Sequence, residues 1–542
     1  MKLHKKLNFV LFVLTIILLL LILFFYLLII NRDVFVEDIY VKEFKLRRDN
    51  FSKDYLKQAD NLLNNKIIIP SKKDYYWTYR GNMNEFKNKN RSDQRYLYAF
   101  FMLNDLVNAY EQTSDTKYLD KGFYYLKDFF NQCPYKFDPV NNMPWHDEAS
   151  AQRLMNSVRF YKASKHHLGD EDLKLIRKNL EFTAKKLSSE MYSGFNNHGM
   201  FQDLSLYIYG KAFNKNDFVK LSSQRLEKYF LGSFSKEGVH LENSPEYHFE
   251  MLYMLKDFLN IAQREDFAKY DELKQVYDNS LKYSVAISLP NNFLPNIGDT
   301  AKLKYDLNDF YYSEDIKKFS NDIRFKFLNS GYDIYKNKKN YLVFIGPSYL
   351  YYHHHNHDLS FWLYKNGNIF TESGKYGYDW SDPITRSIRD YPAHNSVVVD
   401  NENSISPDLN DGQMYDLGKN KMAASSNRSS YAKIYREISY NDDFTDIKIE
   451  TKLIPKDDKN HKYELFFHLD PAISVKYSKD NPKKLILYRN GNKIGYIISS
   501  EKFSLKDDFY YEKSYAEGKK TKVIYINTVG KEKNIIMDIK LK

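Results

Sequence analysis

Cysteine is nearly missing from this chain: Cys133 stands alone among 542 residues. Intrachain disulfides are thereby excluded, as is any zinc site built from several thiolates, so the body must be held by its core. No Ala-x-Ala-like cleavage site closes the apolar run Leu7 to Ile30, where Phe24-Phe25-Tyr26-Leu27-Leu28 stands instead. A cleaved signal peptide is therefore not expected. No nucleic-acid motif is visible, and no repeat of fixed short period.

What is present points outward from a membrane. Some twenty apolar residues suffice to span a bilayer as a helix, and Leu7 to Ile30 meets that length. Lys2, Lys5 and Lys6 precede the run, which predicts a cytoplasmic N-terminus and an extracytoplasmic body on an uncleaved anchor. Lys42, Lys45, Arg47 and Arg48 on the far side work against that bias. A hydrophobic fraction of 43% with 17% aromatic residues is far from disorder, and the length allows two or three domains. The net charge of +11 suits an acidic partner: anionic glycan, lipid headgroups or nucleic acid. For an exported body without a nucleic-acid motif, anionic glycan ranks first, although a bias toward lysine alone gives the same charge.

Periodicity divides the body in two. From about Asp93 to Lys282 the pattern is helical, with Tyr96, Phe100, Leu103, Val107 and Tyr110 at spacings of three and four, and Tyr247, Met251, Met254 and Phe258 likewise. Ser244, Pro245 and Glu246 mark a helix start, which places Tyr247 in a first turn. After about Tyr341 the period becomes two. Strands are predicted on both sides of Asn366-Gly367 and Asn490-Gly491, and over Ser396 to Val399, Tyr463 to His468 and Lys522 to Asn527. The expected organisation is a membrane anchor over 1–33, a helical domain over 34–325 and an antiparallel β domain over 326–542.

Four of the fourteen histidines fall in His353-His354-His355-Asn356-His357, just before the apolar run Leu359 to Leu363. If this segment is a strand, His353, His355 and His357 share one face. A solvated, idle cluster is the plainer reading. Three further segments stand out: Asn196-Asn197-His198-Gly199, Glu242 to His248, and Arg389-Asp390-Tyr391-Pro392-Ala393-His394-Asn395. Read alone, Asn197 is as well explained as a helix cap, with His198 packed in a loop.

Taken together and in this order, the four segments resemble the heparinase II/III-like polysaccharide lyases, which include alginate lyases. The β-domain stretch is the clearest part: His353-His354-His355, Leu359-Ser360-Phe361, Glu372-Ser373-Gly374, Tyr376-Gly377-Tyr378, and Ala393-His394-Asn395-Ser396-Val397. Pro144-Trp145-His146-Asp147 and Pro295-Asn296-Ile297-Gly298-Asp299 upstream also fit. The resemblance implies an incomplete (α/α) toroid followed by a β-sandwich, with a long cleft for a uronate polymer.

The implied reaction is β-elimination, in which the C5 proton beside a carboxylate is removed and the departing O4 is protonated. The resemblance gives Asn197 and His198 the task of neutralising that carboxylate, and makes Tyr247 and His353 catalytic. Free tyrosine titrates near pH 10, so ionising Tyr247 would need cationic or donor neighbours. Glu242, Arg389 and Tyr376 are implied substrate-binding residues, with an ion pair as the structural alternative for Arg389. A bound Zn2+ is implied on His355, Glu372 and His394, as a brace for the β domain and not as a Lewis acid. Two departures stand out: Glu372 replaces the usual aspartate, and His357 occupies a usually acidic place. Sliding the motif by two residues would make His355 catalytic and His357 the ligand, with Asp358 close behind.

Two other functions fit the same composition. A glycoside hydrolase would need paired carboxylates across a cleft, for which Glu148, Glu242 and Asp299 are available without evident pairing. A non-catalytic glycan-binding or assembly protein of capsule or exopolysaccharide would keep the basic surface and lose turnover.

Overall fold

The computed structural model describes residues 54–69, 75–135, 142–189, 194–264, 267–304, 317–319, 323–347, 352–378, 380–405, 411–513 and 517–542. The run Leu7 to Ile30 lies outside them. Among the described residues no helix is long and apolar enough to cross a membrane. The chain forms two compact units that divide between Tyr229 and Phe230.

The first unit is helical: α1 (Tyr55–Leu63), α2 (Arg91–Tyr98), α3 (Met102–Thr113), α4 (Lys117–Gln132), α5 (Asp147–Ser164), α6 (Asp170–Ser188), α7 (Asn197–Ala212) and most of α8 (Asn216–Ser233). The helical pattern from Tyr96 to Tyr110 is interrupted at Phe100, so that two helices form. Phe100 takes a φ of 58°, and the carbonyls freed at Tyr98 and Ala99 are met by Arg153 Nη1 at 2.7 Å and Asn156 Nδ2 at 2.9 Å. These donors come from α5, which is buried on nearly every side and packs most extensively against one other helix. That helix is α7, buried along most of its length.

The second unit opens with α9 (Pro245–Arg264) and α10 (Tyr270–Ile287), then turns to strands at Arg324. As predicted, Tyr247 lies in the first turn of α9, where Ser244 Oγ accepts from its amide. Helix α10 packs on the first strands: Tyr341 donates to Ile287 O at 2.9 Å, Lys336 Nζ to Val285 O at 2.6 Å, and the Tyr283 ring lies 5.2 Å from Phe327. Three antiparallel sheets follow. A five-stranded meander runs from Arg324 to Phe370, an eight-stranded sheet has the Asp446–Pro455 strand near its middle, and a four-stranded sheet ends on Val397–Val399. All three contribute to one apolar core, including Phe361, Val397, Ile449 and Phe467. The hairpins at Asn366-Gly367 and Asn490-Gly491 both form, with the two asparagines at φ of 50° and 48°.

The histidine segment is not a strand. It is an irregular loop that enters the meander only at Phe361, with positive φ at His353 (54°) and Leu359 (63°). An extended run would have left its amides facing a sheet neighbour. Here Asn356 N donates to Arg389 O at 2.7 Å, and Ser360 N to His357 O at 3.0 Å. The shared face expected of His353, His355 and His357 therefore does not exist: His353 and His355 turn to Asp299, and His357 to Glu372 and His394.

Candidate active site

In the first unit, Asn196 caps α7, accepting from Gly199 N at 3.0 Å, so Asn197 is the first helical residue and not the cap. Asn197 and His198 are both half-buried. His198 meets two carboxylates: Nδ1 lies 3.1 Å from Asp147 Oδ1 and Nε2 lies 3.4 Å from Glu148 Oε2. Burial opposes its cation, but these partners outweigh it and raise the imidazole pKa. Asp147, half-buried and facing His146 and His198, is held well below the usual carboxylate range. Ligand atoms of His146, Glu148 and His198 lie within 4.8 Å of one another. Arg95, 2.6 Å from Glu148, already supplies positive charge there.

In the second unit, Tyr247 and His353 meet. Their rings stack with centroids 3.6 Å apart and an interplanar angle of 18°. His353 Nδ1 lies 3.0 Å from Asp299 Oδ2, and Nε2 lies 3.3 Å from Glu242 Oε2. Burial disfavours the cation, but the bonds to Asp299 and Glu242 prevail and raise its pKa. Gly298 lets Asp299 come this close. It sits at φ 55°, and a Cβ there would stand 2.4 Å from Asn243 O and 3.0 Å from His353 O.

The Tyr247 hydroxyl pairs with that of Tyr378 at 2.9 Å. Burial, joined by the neighbouring Tyr378, raises the Tyr247 pKa well above 10, while Lys375 pulls the other way. The tyrosine is therefore a phenol. Lys375 Nζ lies 5.7 Å from the Tyr247 ring centre and 5.0 Å from that of Tyr378, and 3.4 Å from Glu246 Oε1. The second Glu246 oxygen accepts from Ala301 N at 2.7 Å. Tyr378, Lys375 and Glu246 were not among the expected site residues. Tyr378 belongs to the Tyr376-Gly377-Tyr378 motif and Lys375 stands just before it, but only three-dimensional contact distinguishes them.

Arg389 is no free carboxylate binder. Its buried guanidinium is spent on Asp299 Oδ1 at 2.7 Å and Thr385 O at 2.7 Å, which is the ion-pair alternative. Tyr376 is half-buried, and it is Tyr378 that reaches Tyr247. Glu242 touches His353, as stated.

The expected ligand His355 turns one nitrogen to Asp299 and leaves Nδ1 without a hydrogen-bond partner, but it is not in the cluster that brings His394 and Glu372 together. Its Nε2 lies 3.0 Å from Asp299 Oδ1, and burial depresses its pKa to about 4. His357 instead joins Glu372 and His394, with one ligand atom from each lying within 4.8 Å of the others. All three are buried. Glu372 contacts His394 Nδ1 and Ser360 Oγ, and His357 Nδ1 and His394 Nε2 have no hydrogen-bond partner. Burial holds the His357 pKa well below 6.5, so the imidazole is neutral, the form that ligates metal. Two orphaned imidazole nitrogens beside a buried carboxylate fit a zinc ion. Asp358 does not join them, because it is paired with Arg428 at 2.5 Å.

The loops that carry these groups are braced from the β core. Arg436, fully buried, donates to Leu359 O at 2.6 Å and Asn395 O at 2.5 Å. Asn395 in turn donates to Phe361 O at 2.7 Å and Thr371 O at 2.9 Å. The His-Asn motif thus ties together the segments bearing His357, Glu372 and His394.

Residues 36–327 match the heparinase II/III N-terminus model and residues 321–536 the heparinase II/III-like C-terminal model. Among solved structures, heparinase III is similar at a TM-score of 0.76 and 15% identity, over 92% of this chain and 86% of that one. The heparan sulfate lyase HepC from Pedobacter heparinus gives 0.65 and 17%, over 90% and 83%. The chondroitin AC lyase of Streptomyces coelicolor A3 gives 0.56 and 10%, over 90% and 83%. No curated protein matches. With family models covering both its helical and its β part, the chain belongs to the heparinase II/III-like family.

Proposed function

We propose that this protein is a polysaccharide lyase that cleaves a uronate-containing anionic glycan by β-elimination. The observation that carries the reading is the Tyr247–His353 stack, with Asp299 and Glu242 on the imidazole and Tyr378 on the phenol. Tyr247, kept neutral by burial, is the acid that gives its proton to O4 as the C4–O4 bond breaks. His353, once it has lost its proton, is the base that takes the C5 proton as the C4–C5 double bond forms. Lys375 favours the phenolate that Tyr247 becomes. In the helical unit, Asn197 and His198, the latter drawn toward its cation by Asp147 and Glu148, are assigned to contacts with a uronate carboxylate of the glycan.

A hydrolase is disfavoured by the carboxylates themselves. Asp299 is engaged by His353, His355 and Arg389 and held well below the usual range, whereas a general acid needs a raised pKa. Incubation with heparan sulfate, chondroitin sulfate, hyaluronan and alginate is expected to release a product absorbing in the near ultraviolet from at least one polymer. Saturated, hydrolytic ends would overturn the mechanism, and binding without product would make the protein a glycan binder.

We further assign His357, Glu372 and His394 to a structural Zn2+, which when bound would hold the histidine loop to the strands behind it. The apolar run Leu7 to Ile30 and the basic composition support a single-pass anchor with the body outside the cytoplasm. Membrane fractionation with protease protection tests the anchor and its orientation. The family's incomplete toroid and β-sandwich are the architecture we assign to the helical and β parts.

A further inference from the structure

Trp380 is unlike the other three tryptophans. It is 56% exposed, whereas Trp145 and Trp362 are buried and Trp77 is half-buried. Its backbone is pinned, because Arg386 Nη1 donates to Trp380 O at 2.6 Å and Asp382 caps the short helix Pro383–Ser387. Its ring is pinned too. The Arg389 guanidinium lies 4.7 Å from the indole centroid and 5.9 Å from that of Tyr378. Trp380 is thus separated by one guanidinium from the ring whose hydroxyl meets Tyr247. Asp299 neutralises that guanidinium at 2.7 Å, so the indole rests on an ion pair and leaves most of its surface to solvent.

A large apolar ring held in a fixed pose beside the Tyr247–Tyr378 pair offers area whose burial by a ligand is favourable. Peptide or lipid would need a wider apolar patch than a single indole. A pyranose ring offers a C–H face of matching size while its hydroxyls and charged groups stay in water, and an indole suits a ligand that is apolar on one side and wet on the other. We infer that Trp380 is a sugar-stacking subsite that takes one pyranose ring of the glycan beside the Tyr247–Tyr378 pair. This rests on the glycan-cleaving reading above.

The test uses the full chain and hexasaccharides of heparan sulfate, chondroitin, hyaluronan and alginate. At least one is expected to change the tryptophan emission of the wild-type protein, and Trp380→Phe should abolish that change. On the matching polymer, Trp380→Ala should raise KM by about tenfold with a smaller fall in kcat, and Trp380→Phe, which keeps a smaller ring, should fall between. Thermal melts of both variants guard against misfolding. The subsite is overturned if no hexasaccharide perturbs the emission, or if product forms with the same KM in Trp380→Ala. An emission response without unsaturated product would instead uphold the subsite and overturn the lyase mechanism.

Discussion

Two ends of one histidine loop put the same side chain to opposite uses. His353 retains some exposure at its side chain, faces two carboxylates and is driven toward its cation. His357, four residues on, is fully buried, has an orphaned Nδ1 and is driven toward neutrality. His355, between them, touches Asp299 yet remains neutral, because burial costs it more than the shared carboxylate returns. Proximity to an acid is thus not enough to charge an imidazole; the acid must outweigh the desolvation. One end is built to exchange a proton and the other to donate a lone pair.

The sharpest way to break this contrast is to remove the phenol at the protic end. Tyr247→Phe should cost about a thousandfold in turnover, the range for loss of a positioned acid, with circular dichroism unchanged. Asp299→Asn comes next, at about a hundredfold. Because His353 is the base only when deprotonated, kcat/KM should rise with pH through its raised pKa. Without the Asp299 charge that pKa falls, so the rising limb should move to lower pH. An unshifted profile would remove His353 from the base role.

At the other end, metal analysis separates neighbouring histidines. His357→Ala should leave less than about half an equivalent of zinc, while His355→Ala should keep close to one. The reverse result would restore the gapless motif register. The smallest effect is expected at Lys375→Met, a fall of about tenfold in kcat with KM little changed, since this buried ammonium acts on the charge that develops on Tyr247 and not on the bound sugar.

Much of the fold was legible. Helices precede strands, both Asn-Gly hairpins form, and Ser244-Pro245 starts the helix that carries Tyr247. These are local signals, written in spacing and turn chemistry. The misreadings share a physical origin. The break at Phe100 is permitted by Arg153 and Asn156, donors more than fifty residues away. Alternation in the histidine segment leaves open whether it is a strand, because it cannot reveal where a loop's amides find partners, and the conditional shared face of three imidazoles goes with the strand. Asp299 was noticed as a motif residue and weighed as a hydrolase acid, yet it joins His353, His355 and Arg389 in one network. Tyr378 shares a motif with Tyr376 and Lys375 stands just before it, and nothing local separates them from Tyr376.

By itself the sequence determined the order of helical and β parts, the family, and the tyrosine and histidine that meet, because these depend on periodicity, caps and short ordered motifs. Only the tertiary structure decided which imidazole is charged, which faces Glu372 and His394, and whether Arg389 is free. A side chain's protonation and ligation are set by desolvation and by partners brought from distant segments, as Asp299 is to His353 across 54 residues.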